Sequence, residues 1–360
     1  MAETKNPDKI ILFAKRPGQT SFASLFTIKH ALNTQKVGHT GTLDSFACGL
    51  LVVCTGALTR LCGRITEFDK TYEAVIEFGK ETDTLECTGN VIRTAELPEL
   101  EKLKEALLHF SGTYSQVPPA FSAIHVNGKR ASDIVRSGKT AEIPARPVTV
   151  YESELKETDI EVSENGIQKV RAARISFTVS KGTYIRSLAR DIADYCGSAA
   201  TLTGLLRTRV GNFELEDSAG YSLLDDFTIE SARKNALLTV QKELEHRLEA
   251  QNKEKSAGQK NLSKKYEPSE EELNLQREVL EKALPMTEEI AVQCGFAVLH
   301  IKDDFLPKFK NGGKLHSDWF TVSPFSIENE FAAVFSAASQ LCGLLQKNAS
   351  GYFQYSFVIN

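Results

Sequence analysis

The charged run from Gln241 to Lys282 limits what this chain can fold into. It carries nine Lys or Arg and ten acidic residues. Its ends have helical character. Its middle, Asn252–Ser269, offers too few apolar residues to bury and is expected to be mobile or disordered. A chain interrupted in this way builds two cores, not one. The expected organisation is a main body over residues 8–225, a charged helical or disordered linker over 241–284, and a small β-rich body over 285–360.

Within the main body, apolar patterning alternates between strand and helix. Ile10–Phe13 reads as a buried strand. The turn Lys15–Ser21 leads into a helix near Phe22–Leu32, which Thr20 or Ser21 can cap. Val37–Gly49, rich in Gly and Thr, reads as a loop, and Leu50–Val53 as a short buried strand. Thr71–Gly79 alternates, with Tyr72, Ala74, Ile76 and Phe78 on one face. Glu99–Phe110 and Thr183–Tyr195 have helical spacing, the second closed by Cys196-Gly197. Val148–Tyr151 and Val170–Val179 read as strands. Interleaved strands and helices imply an α/β or α+β domain with a mixed sheet. Beyond Pro285, Phe296–Ile301, Phe331–Phe335 and Tyr352–Ile359 supply strands for the smaller body.

Composition excludes several classes. The seven cysteines show no C-x-x-C spacing, so neither a structural zinc site nor a disulfide framework is indicated. No ligand cluster suggests a metal or cofactor. Met1–Lys9 is polar and lacks a secretory pattern, and Cys48–Leu58 is too short to span a bilayer. A cytoplasmic monomer without a membrane segment is expected. The net charge of −4 hides local bias, because Lys9–Lys70 holds eight bases against three acids. One basic face is enough for a polyanion partner.

The densest chemical signal is Gly38-His39-Thr40-Gly41-Thr42-Leu43-Asp44-Ser45-Phe46-Ala47-Cys48-Gly49-Leu50-Leu51. Glycines permit a tight path and close approach of a ligand. No Gly-Lys-Ser/Thr follows, so the loop is not a phosphate loop. A single carboxylate there can act as nucleophile or base; from spacing alone it can equally cap a turn.

This stretch resembles the motif G-H-x-G-T-L-D-P-x-A-x-G-L-L of the TruB family of pseudouridine synthases. Further blocks follow in the family's order. Lys15–Ser21 is similar to K-P-x-G-x-T-S. Lys70-Thr71-Tyr72 and Gly79–Gly89 resemble K-x-Y and G-x-x-T-D-T-x-x-x-x-G. Gln116–Ala123 resembles Q-x-P-P-x-x-S-A. Ser180–Leu188 and Leu205–Thr208 complete the set. The resemblance implies the pseudouridine-synthase fold, a mixed sheet with flanking helices and a central cleft. It implies an isomerase that converts uridine to pseudouridine at position 55, in the T-arm of tRNA, on a flipped-out base and without metal or cofactor.

The same resemblance distributes roles. Asp44 is the catalytic carboxylate, Arg186 its partner, and Tyr72 the ring that stacks on the uracil. His39, Gly41, Thr42 and Leu205 are substrate-binding positions near the flipped base. Lys15, Lys70, Lys129, Arg130, Lys181 and Arg207 are candidate phosphate contacts. Residues 124–143 correspond to an insertion that closes on the RNA. Phe309–Gly313 with Leu315 resembles part of a PUA domain, a small RNA-binding barrel, in divergent form. Departures are Ser45 and Arg16 in place of motif prolines, and His125 and Ser132 in place of a lysine and a tyrosine. The alternatives are a catalytically silent tRNA-binding or folding module, and a synthase working in a guide-RNA complex.

Overall fold

The computed structural model describes residues 8–126, 128–255 and 267–359. The main sheet is built from β1 (Lys9–Lys15), β2 (Cys48–Thr55), β3 (Lys70–Phe78), β4 (Gly112–Gln116), β5 (Arg146–Val162), β6 (Gln168–Val179), β7 (Ala200–Val210) and β8 (Leu284–Pro285). Their order across the sheet is β8-β1-β2-β7-β3-β6-β5-β4. Short strands Val37–His39 and Phe213–Glu214 pair on the path. Every neighbouring pair is antiparallel except β2–β7. That parallel contact spans only Leu206↔Cys48 and Arg207↔Gly49. The sheet is thus two antiparallel halves joined over two residue pairs, and the loop before β2 sits at this seam.

The alternation read in the sequence positions the core. Ala173, Ile175, Phe177 and Val179 of β6, with Ala74 and Ile76 of β3, are buried under the helices α2 (Leu100–His109) and α3 (Ile185–Tyr195). On β1, the two sets of alternating side chains go to different partners. Ile11 and Phe13 pack with Leu25 and Ile28 of α1 (Ser21–Ala31). Ile10 and Leu12 pack with Met286, Phe296, Phe331 and Phe335 of the C-terminal body. Covering on both faces explains why these strands read as unbroken apolar runs. Thr20 caps α1, its Oγ1 accepting from the Ala23 N–H at 3.0 Å.

Two boundaries differ from the expectation. Helix α4 (Ile229–Lys255) begins inside the main body, where Ile229 and Ala232 pack on Val75 and Ala172. Helix α5 (Glu270–Glu281) is no linker: Leu275 and Val279 are buried with α1, and Gly220 N donates to Glu278 Oε2 at 3.0 Å. A stripe one turn apart docks the helix although its overall composition is polar. Leu284–Pro285 then joins the main sheet beside β1, so the smaller body begins after it. Of the stretch expected to be disordered, residues 256–266 lie outside the described residues.

The C-terminal body is a four-stranded sheet, β9 (Ala297–His300), β10 (Phe331–Phe335), β11 (Leu341–Lys347) and β12 (Phe353–Val358), in that order. Leu299, Phe309, Trp319 and Leu345 form its own core.

Candidate active site

The loop Thr40–Ala47 hangs on donors from several elements. Thr66 Oγ1 donates to Thr40 O at 3.0 Å, and Arg207 Nη2 to Gly41 O at 3.1 Å. Ser21 Oγ donates to Leu43 O at 3.1 Å and accepts from Leu43 N at 2.9 Å. Gly18 N donates to Ser45 O at 2.8 Å, and Lys15 Nζ to the carbonyls of Ser45 and Ala47. Leu43 and Phe46 point into the core beside Tyr72 and Leu205. With its neighbours anchored inward, Asp44 is left facing outward, its side chain 31% exposed.

Arg186 meets it from the first turn of α3. Its Nη2 donates to Asp44 Oδ1 at 3.1 Å, and its Nε lies 3.0 Å from Oδ2. Two carbonyls complete the seat: Nη1 donates to Thr84 O at 2.9 Å and Nη2 to Phe121 O at 3.2 Å. The guanidinium is only 7% exposed. The start of α3 is itself held, because the buried Gln116 amide accepts from Tyr184 N at 2.8 Å and donates to Tyr184 O at 3.2 Å. Four of the sequence blocks therefore converge on one ion pair. A carboxylate fixed by a buried guanidinium keeps one orientation, as a nucleophile or base requires.

Sequence reasoning missed Glu86. Its Oε2 lies 4.0 Å from Arg186 Nε, and its Oε1 accepts from Thr88 Oγ1 at 2.8 Å. Burial, reinforced by the charge on Asp44, pushes its carboxyl up to about 7 despite the opposing pull of Arg186. Leu85, just before it, has a φ of 61°, a left-handed conformation that costs a non-glycine residue on the order of 1–2 kcal/mol. The available signal was an acid inside the Gly79–Gly89 block outside its T-D-T, a description that Glu81 fits as well.

The remaining sequence candidates divide. His39 is half-buried; its Nδ1 accepts from Gly41 N at 3.4 Å, and burial holds its imidazole below the usual value. Gly41 is half-buried and Thr42 exposed beside Asp44. Lys129 and Arg130 are exposed, along a groove of about 860 Å³ that Lys139 also lines. Lys181 is exposed and paired with Glu67.

Three basic residues differ from the expectation of phosphate contact. Lys15 is fully buried under the Asp44 loop, and desolvation lowers its ammonium to about 8. Lys70 is buried, its Nζ donating to the carbonyls of Thr66 and Phe68, and desolvation lowers it to about 8 as well. Arg207 is 1% exposed, its Nε donating to Leu50 O at 2.7 Å. Their charges are spent on backbone carbonyls, out of reach of a phosphate on the surface. Among the described residues no cluster of metal-ligating side chains occurs, and no helix is long and apolar enough to cross a membrane.

Comparison with known proteins agrees with this geometry. The model of the TruB family pseudouridylate synthase N-terminal domain matches residues 29–185, a span that holds Asp44 and stops one residue short of Arg186. A tRNA pseudouridine synthase B from Treponema denticola is 42% identical over 334 residues, covering 90% of this chain and 88% of its own. One from Treponema pallidum is 35% identical over 366 residues, covering 98% of each chain. A solved H/ACA RNP bound to a substrate RNA containing 2'-deoxyuridine shares the fold, with a TM-score of 0.58 at 20% identity, over 98% of this chain and 85% of that one. These similarities run the length of the protein and through the segment that builds the carboxylate–guanidinium pair, so the chain belongs to the TruB family of pseudouridylate synthases and is an isomerase.

Proposed function

We propose that the protein converts uridine to pseudouridine at position 55 in the T-arm of tRNA, with Asp44 as the reacting carboxylate. The observation that carries this is the half-exposed Asp44 held by the buried Arg186 at the seam of the sheet. The relatives' common designation as tRNA pseudouridine synthases supports the substrate class.

The chemistry breaks the bond between ribose C1' and uracil N1 and forms one between C1' and C5; the C5 proton is lost and N1 gains one. Asp44 opens the sequence either by attack on the nucleotide or by removing a proton from the sugar. Both routes need a charged carboxylate, and a desolvated carboxylate stays charged only beside a partner. Arg186 is that partner. The uracil is to be drawn from its stack into the pocket, with its face against Tyr72 and its edge near Leu205 and His39. Residues 124–143, with Lys129 and Arg130, close on the RNA. The C-terminal body adds a second, PUA-like RNA contact.

The test is incubation of unmodified tRNA transcripts with the purified protein and mapping of pseudouridine. Product at position 55 is expected. Its absence there, with product elsewhere or none at all, overturns the assignment. Asp44→Asn is expected to abolish product formation, at least about a thousandfold, while tRNA binding survives. A variant that still turns over removes Asp44 from the reaction.

A further inference from the structure

Arg207 has no task in the scheme above, yet it is among the most buried side chains of the protein. A buried guanidinium carries a desolvation cost that hydrogen bonds to its donors must offset. Among the described residues it pairs with no carboxylate. Its donors go to two backbone carbonyls, Gly41 O at 3.1 Å and Leu50 O at 2.7 Å. Those carbonyls stand on either side of Asp44, one at the start of the loop and the other in β2.

The local fold holds the backbone of this residue tightly against β2. Arg207 lies on β7 at the two-residue parallel seam, opposite Gly49. Gly49 has a φ of 106°, and a Cβ there would meet Arg207 N at 2.6 Å, so only glycine lets the two backbones come this close. The register of β7 shifts between Arg207 and Arg209, breaking the alternation next to the arginine. Gly41 has a φ of 148°, a conformation other residues rarely adopt, and a Cβ there would stand in ordinary contact, 3.5 Å from Arg207 Nη1. Lysine is a single point donor on a flexible stem; the planar fork of arginine reaches both carbonyls at once.

We propose that Arg207 is a positioning residue for the reaction: by bridging the carbonyls of Gly41 and Leu50 it fixes the loop that presents Asp44 to Arg186. The inference rests on Asp44 being the reacting group. It differs from phosphate binding in what it predicts, because a positioning residue governs the rate of the bound complex and a phosphate contact governs capture.

The experiment measures kcat and KM for pseudouridine formation on a tRNA transcript with the wild type, Arg207→Lys and Arg207→Met. Rates are normalised to the folded fraction, obtained from the stoichiometry of tRNA binding. Arg207→Met is expected to lower kcat about a hundredfold, the effect of displacing a reacting group by about 1 Å. Arg207→Lys is expected to recover part of that loss, and KM to stay near the wild-type value in both. An unchanged kcat, a rise in KM alone, or a loss that vanishes after normalisation overturns the proposal. If Arg207→Met does not fold, Arg207→Lys decides by the same criteria. A wild type that forms no pseudouridine overturns the functional reading and this proposal with it; a productive wild type beside unaffected variants overturns this proposal alone.

Discussion

In the loop Thr40–Ala47 the carbonyls of Thr40, Gly41, Leu43, Ser45 and Ala47 are held by donors from β1, α1, β7 and the short helix Cys62–Thr66 before β3. The segment 124–142 contrasts with it. Its hairpin pairs only His125 with Arg130 and Val126 with Lys129, and Ala131 is its one fully buried residue among those described. On the function proposed above, the first region places atoms for a reaction, where a misplacement of about 1 Å is expensive, and the second presents charge to a large polyanion, which tolerates variation in geometry. The difference separates two kinds of lysine and arginine. Lys15, Lys70 and Arg207 are structural cations whose donors face the backbone, and Lys129 and Arg130 on the hairpin are exposed.

The sharpest way to break this contrast is Arg186→Lys. The charge beside Asp44 is kept, but the fork that also reaches Thr84 O and Phe121 O is lost. The single-turnover rate is expected to fall about a hundredfold or more, the scale set by removing one preorganised donor. tRNA affinity, read by filter binding, is expected to stay within about twofold, since no phosphate contact changes. An affinity that falls in step with the rate would show that the fixed region also captures RNA.

Glu86 offers a subtler probe of the same region. Its carboxyl titrates near 7 in the folded protein against an ordinary 4.5. Between these values the folded state keeps a proton that the unfolded state has released. Stability therefore declines as pH rises from about 4.5 to about 7, and levels off above. Glu86→Gln removes this contribution. The stability of the variant relative to the wild type is expected to grow across that window by an amount on the order of 3 kcal/mol, measured as urea midpoints at several pH values. A pH-independent difference would mean that burial and Asp44 do not hold the proton on Glu86.

What could be read from the sequence follows the same division. Strands with one buried face declared themselves, as Ala173, Ile175, Phe177 and Val179 did. So did the Asp44–Arg186 pair, because both residues sit in motif blocks. β7 did not, since Gly204 and two register shifts break its alternation. Most of β5 was hidden by the exposed charges of Glu152, Glu154 and Lys156. The helical character of α5 was legible, but its docking was hidden by its polarity, although two residues suffice for it. The burial of Lys15, Lys70 and Arg207 left no mark at all. What determines it is the ring of carbonyls around each side chain, and that exists only once the chain has folded.

The smallest expected effect belongs to the exposed region. Lys129→Ala and Arg130→Ala each remove one surface cation from the groove and touch no buried donor. If this segment captures tRNA, each change lowers the slope of log affinity against log salt by about one and raises KM a few-fold at physiological salt. The rate at saturating tRNA stays at the wild-type value, because Asp44, Arg186 and the carbonyl contacts that fix them are untouched. Measuring kcat alongside the salt slope makes the outcome decisive. A fall in kcat with the slope intact would mean that residues 124–142 help place the reacting uridine, and the separation between a rigid region for chemistry and a loose one for capture would be lost.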